Sequence, residues 1–464
     1  MDAVTRPADR RVLWAIASTG FVSSLQFTLM VPALPSFPEL LNVSVSDASW
    51  IVTITLLTGT VVTPILARLA DMRGRKRMLL IAMITLGVGS LIAAIWSSHF
   101  WLVMLGRAMQ GFGTTIVPIG VSLLRSILPR DRAVIGIAML SGTVGIGSGF
   151  GLPLAGVLLA SGGLPFTFLF SALGAAITAT LVWRWVPEQH NRANGSFDLV
   201  GASVLAVGLT AILLIVSKVG EWGITSPATI AAALVCGVAI ALFIPLQLRS
   251  SSPVIDLRLA TRPAMVIANA VGFLTSFAMF ANFLLTMQEA RAPESTAIGL
   301  GLAEISAGLV LVPFAVAMVL GAPATAALMR RFGTRAVLLV GSLVMAISFG
   351  FRFFVHGSLV ALLIGTLLAG VGTALVFGTL PTLVLDVVPI AQASSASGLN
   401  SLMRSVSGAV ASAAFAFLLT LYGIVLLPDY LTETGLMIGL GTTSLFCLLS
   451  TVLTWFLPRR QQSA

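Results

Sequence analysis

Side chains able to do acid–base or ionic chemistry are scarce in this 464-residue chain, only 9% of which is charged. Their densest gathering is ARLADMRGRKRM, residues 67 to 78, where Arg68, Arg73, Arg75, Lys76 and Arg77 surround one acid, Asp71, and one glycine, Gly74. Arg107 stands alone in an apolar stretch, with Gln110 one helical turn later. The three histidines, His99, His190 and His356, lie far apart, and the chain has no evident nucleophile–base pair, metal cluster or nucleotide-binding loop. Ion pairing and proton binding are the chemistry on offer. An enzyme, ATP or a metal cofactor is not implied.

The elements that must position these groups follow from composition. The chain is 57% hydrophobic, contains 44 Gly and has a mean hydropathy of +1.04. Such a mixture leaves too little polar surface to cover a soluble core. Apolar runs of about 18 to 25 residues recur along most of the chain, enough to cross a hydrocarbon layer about 30 Å thick. Breaks at charges, Pro and Gly predict an all-α polytopic membrane protein with fourteen spans, starting near Val12, Ser49, Met78, Phe100, Val134, Pro165, Leu199, Ala228, Pro263, Glu304, Ala336, Ser358, Ser394 and Gly435. The run after Arg6, Arg10 and Arg11 is longer than a signal-peptide core and ends in VPALP, so it reads as the first retained span. Cys236 and Cys447 fall inside apolar runs and read as small core residues.

A net charge of +10 fits membrane topology better than nucleic acid, because the bases form isolated clusters between apolar runs and not one face or tail. With an even number of spans, about 21 of the 26 Lys and Arg fall at the termini and in the loops on their side, while the opposite loops hold essentially Lys218 and Arg291. The positive-inside rule then puts both termini in the cytoplasm and residues 67–78 in a cytoplasmic loop between spans 2 and 3. Orientation alone explains a basic loop, but repetition argues for more. ARLADMRGRKRML at Ala67 aligns with AALMRRFGTRAVL at Ala326, an offset of 326 − 67 = 259 that pairs Gly74 with Gly333 and Lys76 with Arg335. The same offset lays QGFGTT at Gln110 on AGVGTA at Ala369, pairing Gly111 with Gly370, Gly113 with Gly372 and Thr114 with Thr373. Two matches at one offset predict two six-helix halves of like topology, residues 1–190 and 259–464, with two inserted linker helices in residues 191–258.

The loop RLADMRGRKR, LGRAMQGFG in span 4, and the glycine-rich span 5 followed by GLPLAG resemble the three marker motifs of the major facilitator superfamily. The span 4 arginine and span 5 glycines are similar to those of its drug–proton antiporters. Fourteen spans, with GEWGITSP between the two inserted ones, resemble the fourteen-helix multidrug-efflux branch over nearly the whole chain. Three departures stand out. Ala67 occupies the usual glycine position at the head of the loop motif, and Pro153 follows Leu152 where a glycine is common. Span 1 reads LQFTLMVPALP where the branch commonly has L-D-x-T-x-V-N-x-A-L-P, so Gln26 replaces the acid and Val31 the Asn.

The resemblance implies that Asp71 caps a neighbouring helix and pairs with a cation, here Arg75 or Arg77, while Gly74 tightens the turn. Such contacts hold the halves together on the inner side and break when that side opens, which makes Asp71, Gly74, Arg75 and Arg77 the expected conformational latch. Arg107, costly inside a membrane, is a transport or coupling candidate together with Gln110; the alternative is that it bonds carbonyls of span 1 to fix packing. In span 5, Gly142, Gly145, Gly147, Gly149, Gly151 and Gly156 permit close helix approach and Pro153 a bend. The resemblance adds a seal against proton leak. Span 9 carries Asn269, Phe273, Phe277 and Phe280 at helical spacings, followed by Asn282. With Gln26 these are candidates for an amphiphilic pocket near the midplane, although such aromatics also face lipid or a neighbouring helix.

The implied function is a secondary active transporter in the cell membrane, a monomer that exports amphipathic organic compounds in exchange for protons by alternating access. A carrier dedicated to one metabolite and not coupled to protons remains the alternative. Coupling by protons needs a titratable group that both sides can reach, normally a partly buried carboxylate. Gln26 cannot titrate. Of the 16 acids none sits clearly at mid-membrane; Glu289 and Glu304, at the outer ends of spans 9 and 10 where the halves should meet, are the leading carriers, followed by Glu39 and Asp386.

Overall fold

Long apolar runs become long helices. The computed structural model describes residues 7–30, 37–43, 45–188, 197–223, 225–250, 253–386, 388–424 and 427–457. Within them run α1 (Pro7–Thr28), α2 (Phe37–Leu41), α3 (Val45–Arg73), α4 (Arg75–Ile95), α5 (Phe100–Gln110), α6 (Ile116–Ile127), α7 (Arg130–Trp185), α8 (Leu199–Trp222) and α9 (Pro227–Arg249). There follow α10 (Leu257–Ala260), α11 (Pro263–Arg291), α12 (Glu304–Leu309), α13 (Val312–Phe332), α14 (Thr334–Phe354), α15 (Leu359–Asp386), α16 (Ala393–Tyr422) and α17 (Glu433–Trp455). A short antiparallel ribbon, β1 (Gly423–Ile424) with β2 (Leu427–Leu431), joins the last two helices.

Ten helices among the described residues are long and apolar enough to cross a membrane. The expected fourteen are not reached among the described residues. Asp9, Arg10 and Arg11 load the start of α1 with charge, and a 3-10 turn at Gly111–Thr115 divides α5 from α6. The described residues of α7 and α8 hold two further apolar stretches, Arg132–Thr143 and Leu199–Ile215. Gly162 and Gly163 break α7 into two limbs, the second glycine at φ 66, a conformation that a side chain would strain.

Two clusters of buried apolar side chains organise the molecule. One is drawn from residues between Val12 and Val186 with Leu385 and Ala393 added, the other from residues between Met265 and Leu457. In the first region α7 packs against α1 and α4, and α4 against α5; in the second α15 packs against α13 and α14, and α14 against α17. Between the regions α7 meets α13 and α3 meets α16, while α8 and α9 lie together with α8 against α3 and α16. Large apolar side chains such as Trp101 and Leu320 remain on the outer surface, where lipid suits them.

Residues 259 apart make matching contacts. Gly74 and Gly333 both hold positive φ, 108 and 80, at the sharp turns leading into α4 and α14. A Cβ at Gly111 would strike the Thr55 carbonyl at 2.7 Å, and one at Gly370 would strike the Phe314 carbonyl at 2.6 Å, with 314 − 55 = 259. Glycine at both positions lets helix backbones touch, the packing that a membrane interior rewards in the absence of a hydrophobic drive.

Candidate functional site

The basic cluster of residues 67–78 comes to lie where α3 and α4 meet α16. Asp71, at 1% exposure, faces the first turn of α16: Oδ1 accepts from the Ser394 amide at 3.1 Å, and Oδ2 from the Ser395 amide and hydroxyl, both at 2.8 Å. A carboxylate there satisfies helix N–H groups that have no partner of their own and answers the positive end of the helix dipole. Arg75, one turn after Asp71, donates from Nη2 to Asp71 Oδ1 at 2.8 Å and from Nε to Ser394 Oγ at 3.0 Å, and also reaches the Ile390 carbonyl. The Ser122 hydroxyl of α6 stands 2.5 Å from that of Ser394. Nearby, Arg125 and Asp386 approach to 3.5 Å between α6 and α15. Of the two arginines open as partners for Asp71, Arg75 is buried and engaged; Arg77 is exposed.

Arg107, at 1% exposure, donates from Nε to the Ile51 carbonyl of α3 at 3.0 Å and from Nη1 to Gln110 Oε1 at 2.6 Å. Gln110 passes the chain on, donating to Ser90 Oγ at 2.7 Å, while its backbone carbonyl accepts from Gln26 Nε2 at 2.9 Å. Thr55 closes the ring by donating to the Arg107 carbonyl at 3.0 Å. The carbonyl that Arg107 holds belongs to α3, not to the first span, and no carboxylate pairs with it among the described residues.

A second buried arginine, Arg352 on α14, does have an acid. Its Nη2 lies 2.5 Å from Glu289 Oε1 and its Nη1 donates to Asn282 Oδ1 at 3.1 Å, both partners on α11. Arg352 and Glu289 are 0% and 1% exposed. Glu289 therefore points toward α14, a helix of the same half. The side chains of Glu304 and Glu39 lie outside the described residues.

The expected pocket residues do not converge. Asn269 accepts from Asn400 Nδ2 of α16 at 3.2 Å, and Phe280 packs its ring against Gly408 on the same helix. The Phe273 carbonyl accepts from Ser407. Phe277 turns instead to α17, its ring centroid 4.9 Å from that of Phe446, and Asn282 serves Arg352. Gln26 belongs to the Arg107 network. Among the glycines of α7, Gly142 touches Ala322 of α13 closely enough that a Cβ would come within 2.7 Å, and Gly147 abuts Ser24 of α1. Gly151 is buried, whereas Gly156 faces open space. The side-chain surroundings of Gly145, Gly149 and Pro153 lie outside the described residues.

Two arginines were missed by motif reading, Arg352 and Arg404, the latter on α16 with its guanidinium carbon 3.9 Å from the Phe377 ring centroid. Subtraction would have found them. Of the 26 bases, those outside the termini and basic loops are Arg107, Lys218, Arg291, Arg352 and Arg404, and the last two sit within apolar runs. An unassigned charge in such a run is a functional candidate by cost alone.

Comparison with known proteins places this architecture. Residues 16–287 and 265–464 each match the family model of the Major Facilitator Superfamily. The chain is 28% identical to multidrug resistance protein Stp of Mycobacterium tuberculosis over 408 residues, covering 87% of this chain and 75% of that one. It is 30% identical to putative multidrug resistance protein MdtD of Salmonella typhimurium over 423 residues, 89% of this chain and 86% of that one. The fold superposes on the human organic anion transporter MFSD10 with a TM-score of 0.70 at 18% identity, covering 97% of this chain and all of the other. On the proton:xylose symporter XylE the TM-score is 0.65 at 14% identity, covering 97% and 96%. Matched twice along its sequence and over nearly all of its fold, this multi-pass membrane protein, a transporter and not an enzyme, belongs to the major facilitator superfamily.

Proposed function

We propose that this chain is a multidrug-type exporter of amphipathic organic compounds, working as a monomer by alternating access between its two halves, residues 1–190 and 259–464, across fourteen spans with both termini cytoplasmic. The observation that carries the reading is the buried cluster of Asp71, Arg75, Ser394 and Ser395, which ties α3 and α4 of one half to the start of α16 in the other. A contact of this kind stabilises the state closed at the basic end and must be given up when that end opens, so it sets the balance between the two states. The relatives' names, multidrug resistance proteins, support export of drugs and toxic metabolites.

Exchange for protons is part of the proposal, and Glu289 is its carrier. It is the buried carboxylate at the end of the molecule opposite Asp71, and protonating it removes the charge that holds Arg352 to α11. One observation favours the second reading, a carrier not coupled to protons: Gln26 cannot titrate, and Glu289 is engaged in an ion pair with Arg352 at 2.5 Å. Purified protein in liposomes with an imposed pH gradient separates the two. Uptake driven by the gradient and abolished by Glu289→Gln is expected; a wild type indifferent to the gradient removes proton antiport, and undiminished uptake in Glu289→Gln combined with Glu304→Gln moves the carrier elsewhere. Expression in a pump-deficient bacterium, scored against dyes and antibiotics, tests export itself.

A further inference from the structure

Behind the proposed latch lies a narrow cavity, walled by Val117, Pro118 and Val121 of α6 on one side and by Pro381, Val384 and α16 on the other. The α16 wall is polar. Ser397, Asn400, Ser401 and Arg404 line it, and residues four and seven apart share one helix face. Two of its buried donors have no hydrogen-bond partner: the Ser397 hydroxyl and Arg404 Nε. Asn400 is braced from behind by Asn269 and the Ala268 carbonyl, and Gly272 of α11 packs beside the Arg404 stem. Phe377 lies under the guanidinium at 3.9 Å.

Among the described residues no acid pairs with this arginine. The helices α16 and α6 contain neither Asp nor Glu; the single acid of α15, Asp386, approaches Arg125, and that of α11, Glu289, holds Arg352. Arg404 lies 404 − 393 = 11 residues, about 16 Å of helix, from the start of α16, which is near the middle of a bilayer core. A cation held there without a counter-charge is costly unless something anionic visits it.

We propose that this cavity takes substrate as an amphipathic organic monoanion, a carboxylate or sulfonate on an apolar body, with Arg404 receiving the charge, Ser397 donating a further hydrogen bond and the α6 wall covering the apolar part. The proposal deepens the transport reading and rests on it, since it concerns which compounds the cavity between the halves accepts. Arg404 is the residue that sets charge preference. Its guanidinium, braced flat by Phe377, keeps its donors in one plane, the arrangement that matches a carboxylate.

The test uses three probes with one apolar body and different charge: tritiated 2-naphthoate, 2-naphthamide and 2-naphthylmethylammonium. Equilibrium binding to the full chain is measured in nanodiscs of phosphatidylcholine alone, so that no anionic headgroup competes. Naphthoate should bind at least about tenfold tighter than the other two. Arg404→Gln should erase that advantage, Arg404→Lys should keep part of it, and Ser397→Ala should weaken naphthoate by a few-fold. Equal binding of the ammonium probe to wild type overturns the proposal even if the arginine variants fail to fold, as does an anion preference untouched in Arg404→Gln. Cells exporting cationic dyes but showing no Arg404-dependent preference would leave the transport reading standing and this one lost. Naphthoate binding that depends on Arg404 in a protein that moves nothing across liposomes would do the reverse.

Discussion

The two halves solve one packing problem with arginines of opposite circumstance. Arg107 and Thr366 are related by 366 − 107 = 259, as are Ile51 and Val310; Arg107 donates to the Ile51 carbonyl at 3.0 Å, and Thr366 donates to the Val310 carbonyl at 3.2 Å. Ala93 and Arg352 are related by the same offset. Gly106 backs onto Ala93, and Gly365 onto the Arg352 stem, but the two arginines turn to different neighbours, Arg107 to α3 and Arg352 to α11. Arg352 brings an acid with it and Arg107 does not. A charge balanced in place stabilises one arrangement, whereas a charge held by carbonyls and an amide can be reassigned when helices shift.

The difference can be broken most forcefully on the paired side. Glu289→Ala strands a buried arginine and should lower stability by about 3–5 kcal/mol, whereas Glu289→Leu with Arg352→Met should recover most of it. Thermal unfolding of the purified protein in detergent reads both. On the unpaired side the prediction inverts. Arg107→Ala removes a charge without stranding one, so stability should fall by only about 1–3 kcal/mol, yet dye efflux in cells should be lost; Arg107→Lys should keep part of it. If Arg107→Ala proves as unstable as Glu289→Ala, the contrast between the halves dissolves.

The proposed latch sharpens the comparison from a third position, since its ion pair, Asp71 with Arg75, lies within the first half while its hydrogen bonds reach Ser394 and Ser395 in the second. Asp71→Asn keeps shape but gives up the charge at the start of α16, and Arg75→Ala removes the pair; each should shift the balance of states by about 1–2 kcal/mol, roughly a tenfold change in population. Accessibility of an engineered cysteine lining the cavity, probed from the basic side, measures it, and membrane insertion should be unchanged. The smallest effect belongs to Thr366→Val, which deletes the counterpart of the Arg107 bond and should cost about 0.6 kcal/mol with transport intact. Inactivity of that variant would mean the repeat preserves more than packing.

Much of this was written locally. Gly74 and Gly333 announce their turns because only glycine takes that backbone without strain, and Gly111 and Gly370 their close contacts because nothing larger fits. Asp71 and Arg75, four residues apart, meet across the turn that Gly74 makes between α3 and α4. Other groups depended on partners remote in sequence. Asn282, Phe277 and Phe280 share one helix, yet they turn to α14, α17 and α16, because a fully surrounded membrane helix has no single face for a periodic pattern to mark.

Sequence by itself determined the membrane-spanning class, the 259-residue repeat offset and the nearness of Asp71 to Arg75, since these rest on composition, on an offset and on neighbours within a few residues. Tertiary structure alone decided which charges are balanced. Glu289 and Arg352 are 352 − 289 = 63 residues apart, and that no acid among the described residues pairs with Arg404 is seen only once the helices around it are in place. The energy of a buried charge depends on what stands within a few ångströms of it, and in a chain with so few charges that is set by folding and not by order along the chain.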